Sequence, residues 1–553
     1  MKHNIILFIC IFCWLFNCNA QNTAKEYFHR PVQFVCEHPF NDTTKWAITC
    51  RVWGLLKYYH PNVTAGKLDW DKVLLDAIPD ISSSTSEAQV NSELKKMLEI
   101  AGSYNSTNRN TFSDSLSINV NLCWLEHSFL DNQIKEELKT IASLNVDYPS
   151  YYGIDINKTD RQFSPQNEKD YNINVYSALE FRLLALFRYW NVIYFYSPNK
   201  YLMDKSWDET LLESIPLFID AIDKQSYQIA FLKLAAALND GHGYISGVNY
   251  YTSDCQDLLE YIDGKTVVRN ERGGTRKGDI IKRIGNRDIN SIRDSLSLLI
   301  STSTKGNKEY RINSYVAQLA FFQENDLTIF RDSKEIIIHI LPESSQKQNL
   351  PMCKRISTDI GYIDLSKLTT DKMDSILNAY SNTSGIIFDL RKTGSYAYNV
   401  PQLECYLSES KVLNMPEMVV WDLEHPGSFL WKRDNSSIVN STKCSHHLTN
   451  VVFLINESTQ SFTETQAWIA QNNFHATLIG RRTSGAWGHV VWIPLPGKQR
   501  AAFSGFGLFS PNGNALQREG IIPDVEVHPT LESIKAGKDE ILEAAINYLR
   551  NNE

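Results

Sequence analysis

Between Ile360 and Gly480 the chain alternates short apolar runs with amphipathic segments, a pattern that few folds accept. "IGYIDL" is followed by "TTDKMDSILNAYSN", "GIIFDLR" by "PQLECYLSE" and "VVFLI" by "FTETQAWIAQNN", and "ATLIG" closes the series. Apolar runs without polar alternation are strands covered on both faces, and the segments between them carry a helical period. The alternation predicts a parallel sheet flanked by helices, with functional loops at the carboxyl ends of its strands. "DLRKTG" and "NESTQS" lie at two such ends.

The amino-terminal half holds a duplication. "LLKYYHPNV" (Leu55 to Val63) is similar to "VIYFYSPNK" (Val192 to Lys200), and Pro61 and Pro198, Trp70 and Trp207, and Asp71 and Asp208 all keep one offset of 137. Ile78-Pro79 and Ile215-Pro216 keep it too. Each copy reads as a helical hairpin with a turn at Pro-Asn, and most of these residues are read as packing. The second copy ends in "LNDGHGYI", which sets His242 between two glycines, where the first copy has Asn105. Glycine on either side allows a tight, accessible backbone from which the imidazole can reach another domain.

From Leu258 to Leu341 the pattern turns to short strands. A Gly-Asp turn in "KGDIIKRIG" precedes a helix, and "YRINSY", "NDLTIF" and "KEIIIHIL" read as further strands. This order resembles a PDZ domain, which binds peptide tails by adding them to a sheet edge. A β domain that only braces its neighbours is the alternative.

The start, "MKHNIILFICIFCWLFNCNA", has a cationic beginning, an apolar stretch too short to cross a bilayer and a small residue before Gln21, as in a secretory signal peptide. Lipid attachment at Cys18 is disfavoured by the bulk of Phe16 and Asn17. No later segment is apolar enough to span a membrane, so the expectation is an exported chain, periplasmic or extracellular. A net charge of −8 without a basic tract argues against nucleic acid as a partner. The cysteines beyond the signal form no CxxC pair and there is no HExxH, so neither a metal nor a cofactor is expected. The adjacent His446 and His447 read as solvated.

The order of the PDZ-like region, "IGYIDL", "IIFDLR", "VVFLINESTQSFTE", "LIGRRTSGAWG", "GIIPDVEV" and "GKDEILEAAINYL" resembles the C-terminal processing (tail-specific) serine peptidases, including their tricorn-like branch, over roughly residues 180 to 550. In that family the nucleophile stands three residues before the glutamate of a Ser-x-Ser-x-Ser-Glu-like motif, which the resemblance carries to Ser461 before Glu464. At a helix start Ser461 would have backbone N–H groups and the positive end of the dipole beside it, with the Phe462 N–H as first oxyanion donor. The structural alternative is a serine that only caps the helix. The lysine of the bacterial branch would fall at position 486, which is Ala486. The tricorn-like branch takes its base from a histidine before the PDZ region, here His242, acting as general base and then acid.

The resemblance also implies a carboxylate shortly before "GIIPD". Glu519 directly precedes Gly520 and is taken as the orienter after a small shift, with Gln517, at the expected position two residues earlier, as the uncharged alternative. The family's Asn-x-Gly-Gly after "DLR" is reduced to Gly394 in "DLRKTGSYAYN", which reshapes the substrate cleft. Asp389 and Arg391 read as structural.

These expectations combine into a multidomain α+β chain: a signal peptide (1–20), two helical copies (21–150 and 151–250), a PDZ-like domain (251–345) and a ClpP/crotonase-like α/β core (350–553). Its function would be a serine endopeptidase working through an acyl-enzyme on peptide or protein substrates. The alternative is a peptide-binding protein that kept the fold and lost hydrolysis.

Overall fold

Among the described residues the first helix, α1 (Asp42–Tyr59), is opened by Asn41, which accepts the Thr44 N–H at 2.9 Å. Its hairpin partner α2 (Trp70–Ser83) is capped by Asp69. The second copy repeats the plan with α3 (Leu179–Tyr196) and α4 (Trp207–Ile219), the latter closed by a capping box between Ser206 and Glu209. In this computed structural model the described residues are 39–104, 115–117, 120–157, 162–247, 255–342, 351–392, 403–407, 412–432, 437–438, 447–448 and 450–551. Residues 1–20, expected to be a signal peptide, with Cys18, and Gly394 and His446 lie outside them. Among the described residues no helix is long and apolar enough to cross a membrane.

The duplication sets the packing of the helical unit. Trp53 donates its indole N–H to the Trp70 carbonyl at 3.0 Å and Trp70 returns the bond to Trp53 at 2.9 Å. Trp190 and Trp207, at the same offset, make the same exchange at 2.8 and 3.0 Å. Charges cross between the copies: Arg51 reaches Asp208 at 2.8 Å, and Arg188 reaches Asp71 at 2.6 Å. Each copy therefore neutralises the other's buried arginine. At Gly54 an added Cβ would stand 1.8 Å from Asn191 Oδ1, so α1 and α3 meet where only glycine fits.

This first compact unit comprises residues 1–248, 417–433 and 488–515. Two small sheets complete it, one of which runs in the order 154–156, 163–165, 490–495, 499–504 and 244–245. Strand Gln499–Ser504 pairs antiparallel with Tyr244–Ile245, Ala502 opposite Tyr244.

The second unit holds 249–416, 434–487 and 516–553. Its β domain is an antiparallel sheet ordered 334–340, 325–331, 280–284, 265–268 and 259–262, with helices Ile289–Ser297 and α5 (Lys305–Phe321) over one core. "YRINSY" corrects the sequence reading: it lies inside α5 and not in a strand. Its short alternation imitates a strand, but Ile312, Tyr315, Val316 and Ala320 bury one helical stripe, and Thr304 caps the helix through the Asn307 N–H.

The expected parallel sheet is present. β1 (Ile360–Asp364), β2 (Gly385–Asp389), β3 (Val451–Ile455), β4 (Thr477–Gly480) and β5 (Val525–Glu526) pair in that order, all parallel, with Cys353–Arg355 antiparallel at the edge. Helix Glu540–Asn551 seals one face with Ile541, Ala545 and Leu549. On this sheet β3 leads directly into α6 (Phe462–Asn472) through the serine loop.

Candidate active site

The loop between β3 and α6 is pinned by its own hydroxyls. Asn456 N–H donates to Thr459 Oγ1 at 3.1 Å, Thr459 Oγ1 donates to the Leu390 carbonyl at 2.9 Å, and Ser458 Oγ donates to the Arg391 carbonyl. Ser458 and Thr459 thus fasten the serine loop to the end of β2. Ser461 ends the loop with φ 58° and ψ −125°. A side chain at such angles costs about 1–3 kcal/mol and persists only where its surroundings over-determine it.

Glu464 is what holds the strain. Its buried carboxyl accepts Ser461 N–H at 3.0 Å, Ala486 N–H at 3.0 Å, Gly485 N–H at 2.7 Å and the Thr483 hydroxyl. Burial pushes its pKa up to about 8, while these donors pull it down. Ser461 N–H also lies 3.0 Å from the Ala486 carbonyl, so the position that a catalytic lysine would take is beside Ser461 but contributes only backbone. Phe462 is the first residue of α6.

His242 belongs to the first unit, on a turn in which Asp240 Oδ1 accepts the His242 N–H at 2.9 Å. Its Nδ1 lies 2.8 Å from Ser504 Oγ, and Ser504 Oγ lies 2.8 Å from Asp240 Oδ1. The strand register explains the meeting: with Ala502 opposite Tyr244, two further steps set Ser504 opposite His242. Asp240 stood in plain view in "NDGHG", whereas nothing local marked Ser504.

The two orienter candidates sit differently in the second unit. Gln517 is buried, and its Oε1 accepts the Trp487 N–H at 2.7 Å. Glu519 lies at the surface with a 62% exposed side chain, 3.6 Å from Arg482. Residues 517–521 run along the loop after β4: Arg518 N–H donates to the Gly485 carbonyl at 2.8 Å and Ile521 N–H to Thr483 Oγ1 at 2.7 Å.

Residues 359–527 match the model of peptidase family S41. The chain carries a family S41 peptidase domain. With it the chain is a serine-type peptidase, and the match spans the serine loop, the 483–487 loop and the 517–521 segment. No curated protein sequence matches the chain. Among solved structures, mature CPAF is similar at a TM-score of 0.52 and 13% identity, over 68% of this chain and 98% of that one. CPAF complexed with lactacystin gives 0.50 and 13% over 68% and 99%. The photosystem II D1 C-terminal processing protease is 16% identical over 65% of this chain and 98% of that one, at a TM-score of 0.38. At such identities the likeness to CPAF concerns the fold.

Arginines tie the S41 domain together around its loops. Arg391 binds Asp389 and Asp539, both at 2.8 Å, which confirms the structural reading of "DLR". Arg481, just after β4, reaches Glu457 and Glu260 at 3.0 Å each, and Glu260 belongs to the β domain. α5 adds Asn307 to the Glu457 carbonyl at 2.8 Å and Arg311 to Gln460 at 2.9 Å. The β domain is thereby fastened to the residues that precede Ser461.

Burial pushes Glu457 up to about 7, with Arg481 drawing it down and Glu260 raising it further. A carboxyl whose pKa is raised on folding stabilises most below its unfolded value, and the contribution is lost as pH rises through the folded one. The native chain should therefore lose up to about 3 kcal/mol relative to Glu457→Gln between roughly pH 4.5 and 7. Urea unfolding of both proteins across that range reads the difference; parallel curves would remove Glu457 as the titrating group.

Proposed function

We propose that the chain is an exported endopeptidase that cleaves peptide bonds through an acyl-enzyme on Ser461, with His242 as general base and then general acid. The observation that carries this reading is the strained Ser461 backbone at the start of α6, held by Glu464. Ser461 and Glu464 also form a capping box, but capping alone takes an ordinary extended backbone and does not call for the positive φ. In this reading the Phe462 N–H stabilises the tetrahedral oxyanion and Gly394 borders the substrate cleft. Gln517 braces the 483–487 loop through Trp487, and Glu519 stays at the surface with Arg482.

The antiparallel β domain is read as PDZ-like, capturing peptide tails at a sheet edge, and residues 1–20 as the export signal. The domains follow as two helical copies to residue 250, the β domain over 251–345 and the peptidase core over 350–553. With His242 read as the base, the chain is assigned in this proposal to the tricorn-like branch.

A peptide library with varied carboxyl termini, followed by mass spectrometry for cleavage and by fluorescence anisotropy for binding, tests the reading. Cleavage is expected, with a dependence on the terminal residues. Tight binding without any turnover would support the alternative of a peptide-binding protein.

A further inference from the structure

We infer that Ser504 and Asp240 are positioning residues that fix the tautomer and orientation of His242. The inference rests on His242 serving as base, but its physical content lies within the first unit. All three side chains are buried. Asp240 Oδ2 accepts the Ser504 N–H at 2.6 Å, while Oδ1 accepts both the Ser504 hydroxyl at 2.8 Å and the His242 N–H at 2.9 Å. The carboxylate thus grips Ser504 by backbone and side chain, and His242 by its backbone N–H.

The proton positions follow from donor and acceptor chemistry. A carboxylate only accepts, so the Ser504 hydroxyl proton points to Asp240 Oδ1. Ser504 Oγ then presents a lone pair to His242, 2.8 Å away, and Nδ1 must carry a proton to meet it. The opposite tautomer would set the Ser504 proton toward Nδ1 and leave its lone pair against the carboxylate. His242 is therefore held as the Nδ1–H form, with the basic lone pair on Nε2.

This wiring matches the demands of acyl transfer. As Ser461 Oγ attacks, its proton passes to Nε2, and the positive imidazolium gains the Ser504 oxygen and, one hydroxyl beyond, the Asp240 carboxylate. When the tetrahedral intermediate collapses, the Nε2 proton passes to the departing amine, and His242 returns to its Nδ1–H form. The arrangement performs the task of the carboxylate in a Ser-His-Asp triad with a hydroxyl interposed.

The test uses the full chain with ¹⁵N-labelled histidine, His242 being assigned by loss of its signals in His242→Ala. The wild type at neutral pH should show the Nδ1–H tautomer, and Ser504→Ala should shift the population toward Nε2–H. In peptide turnover, Ser504→Ala should lower kcat roughly 10–100-fold with little change in KM and move the acidic limb of the pH profile down. Ser504→Thr keeps the hydroxyl and should recover the wild-type limb. Asp240→Asn, whose amide can reverse the hydroxyl, should cost more, about 10³–10⁴-fold.

An Nε2–H tautomer in the wild type overturns the proposal, as does a Ser504→Ala enzyme with unchanged kcat and acidic limb. If a variant fails to fold, the wild-type tautomer still decides. If His242 proves not to be the base, turnover survives His242→Ala while the tautomer reads as stated, so the two failures are distinct.

Discussion

Ser461→Ala is expected to lower kcat for peptide hydrolysis by roughly 10⁴–10⁶-fold while leaving the fold intact. The size follows from the chemistry, because the hydroxyl forms the acyl bond and no neighbouring hydroxyl can replace it. Ser458 and Thr459 already donate to carbonyls at the end of β2. Thr463 lies inside α6 and its side chain is buried. The Ser461 N–H still reaches Glu464 in the variant, so thermal unfolding should show a change of about 1 kcal/mol or less, in either direction. Residual turnover within tenfold of the native enzyme would remove Ser461 from the mechanism.

Asp71→Ala should destabilise the helical unit by about 3–5 kcal/mol, the cost of leaving buried charge unpaired. Arg188 is buried against Asp71 at 2.6 Å and Glu168 at 2.8 Å, and Lys57 reaches Asp71 at 3.4 Å and Glu168 at 2.7 Å. Two cations and two carboxylates close on one another, and removing Asp71 leaves an unmatched positive charge in the core. Asp208→Ala should act in the same direction, since Asp208 answers Arg51 in the other half of the duplication. Asp76→Ala, which breaks only the exposed pair with Lys72, should change stability by about 0.5 kcal/mol or less.

The Asp71 contribution also has a pH sign. Burial opposes ionisation of Asp71, but Arg188 and Lys57 hold its pKa below the usual carboxylate value. Its stabilisation is therefore present above roughly pH 4 and lost on further acidification. Urea midpoints of the native and Asp71→Ala proteins should converge as pH falls, and a gap that stays constant to low pH would contradict the ion-pair explanation.

How much of this was legible depended on how local the cause was. The parallel sheet could be read because a strand covered on both faces must be apolar throughout, and β1 to β4 match the four runs seen in the sequence. The duplication could be read because Trp70 and Trp207 each need one partner at a fixed distance along the chain. "YRINSY" misled because six residues can satisfy two periods at once, and only burial in α5 separates them.

The positive φ of Ser461 and the pairing of Ser504 with His242 had no local signal. The first is imposed by Glu464 through the 483–486 loop. The second depends on strand 499–504 crossing back to pair with Tyr244–Ile245, far away in sequence. Long-range register is a property of the assembled sheet, and a single sequence carries it only weakly. Segments 417–433 and 488–515, which lie within the α/β stretch in sequence, group with the helical unit for the same reason.

The most direct measurement is the site of covalent modification by a fluorophosphonate. The native chain is treated with the probe, digested and mapped by mass spectrometry, with His242→Ala treated in parallel. A single adduct on Ser461, formed much more slowly in His242→Ala, is the expected result. An adduct on another residue, or equal labelling in the two proteins, would contradict the pairing of Ser461 as nucleophile with His242 as its base.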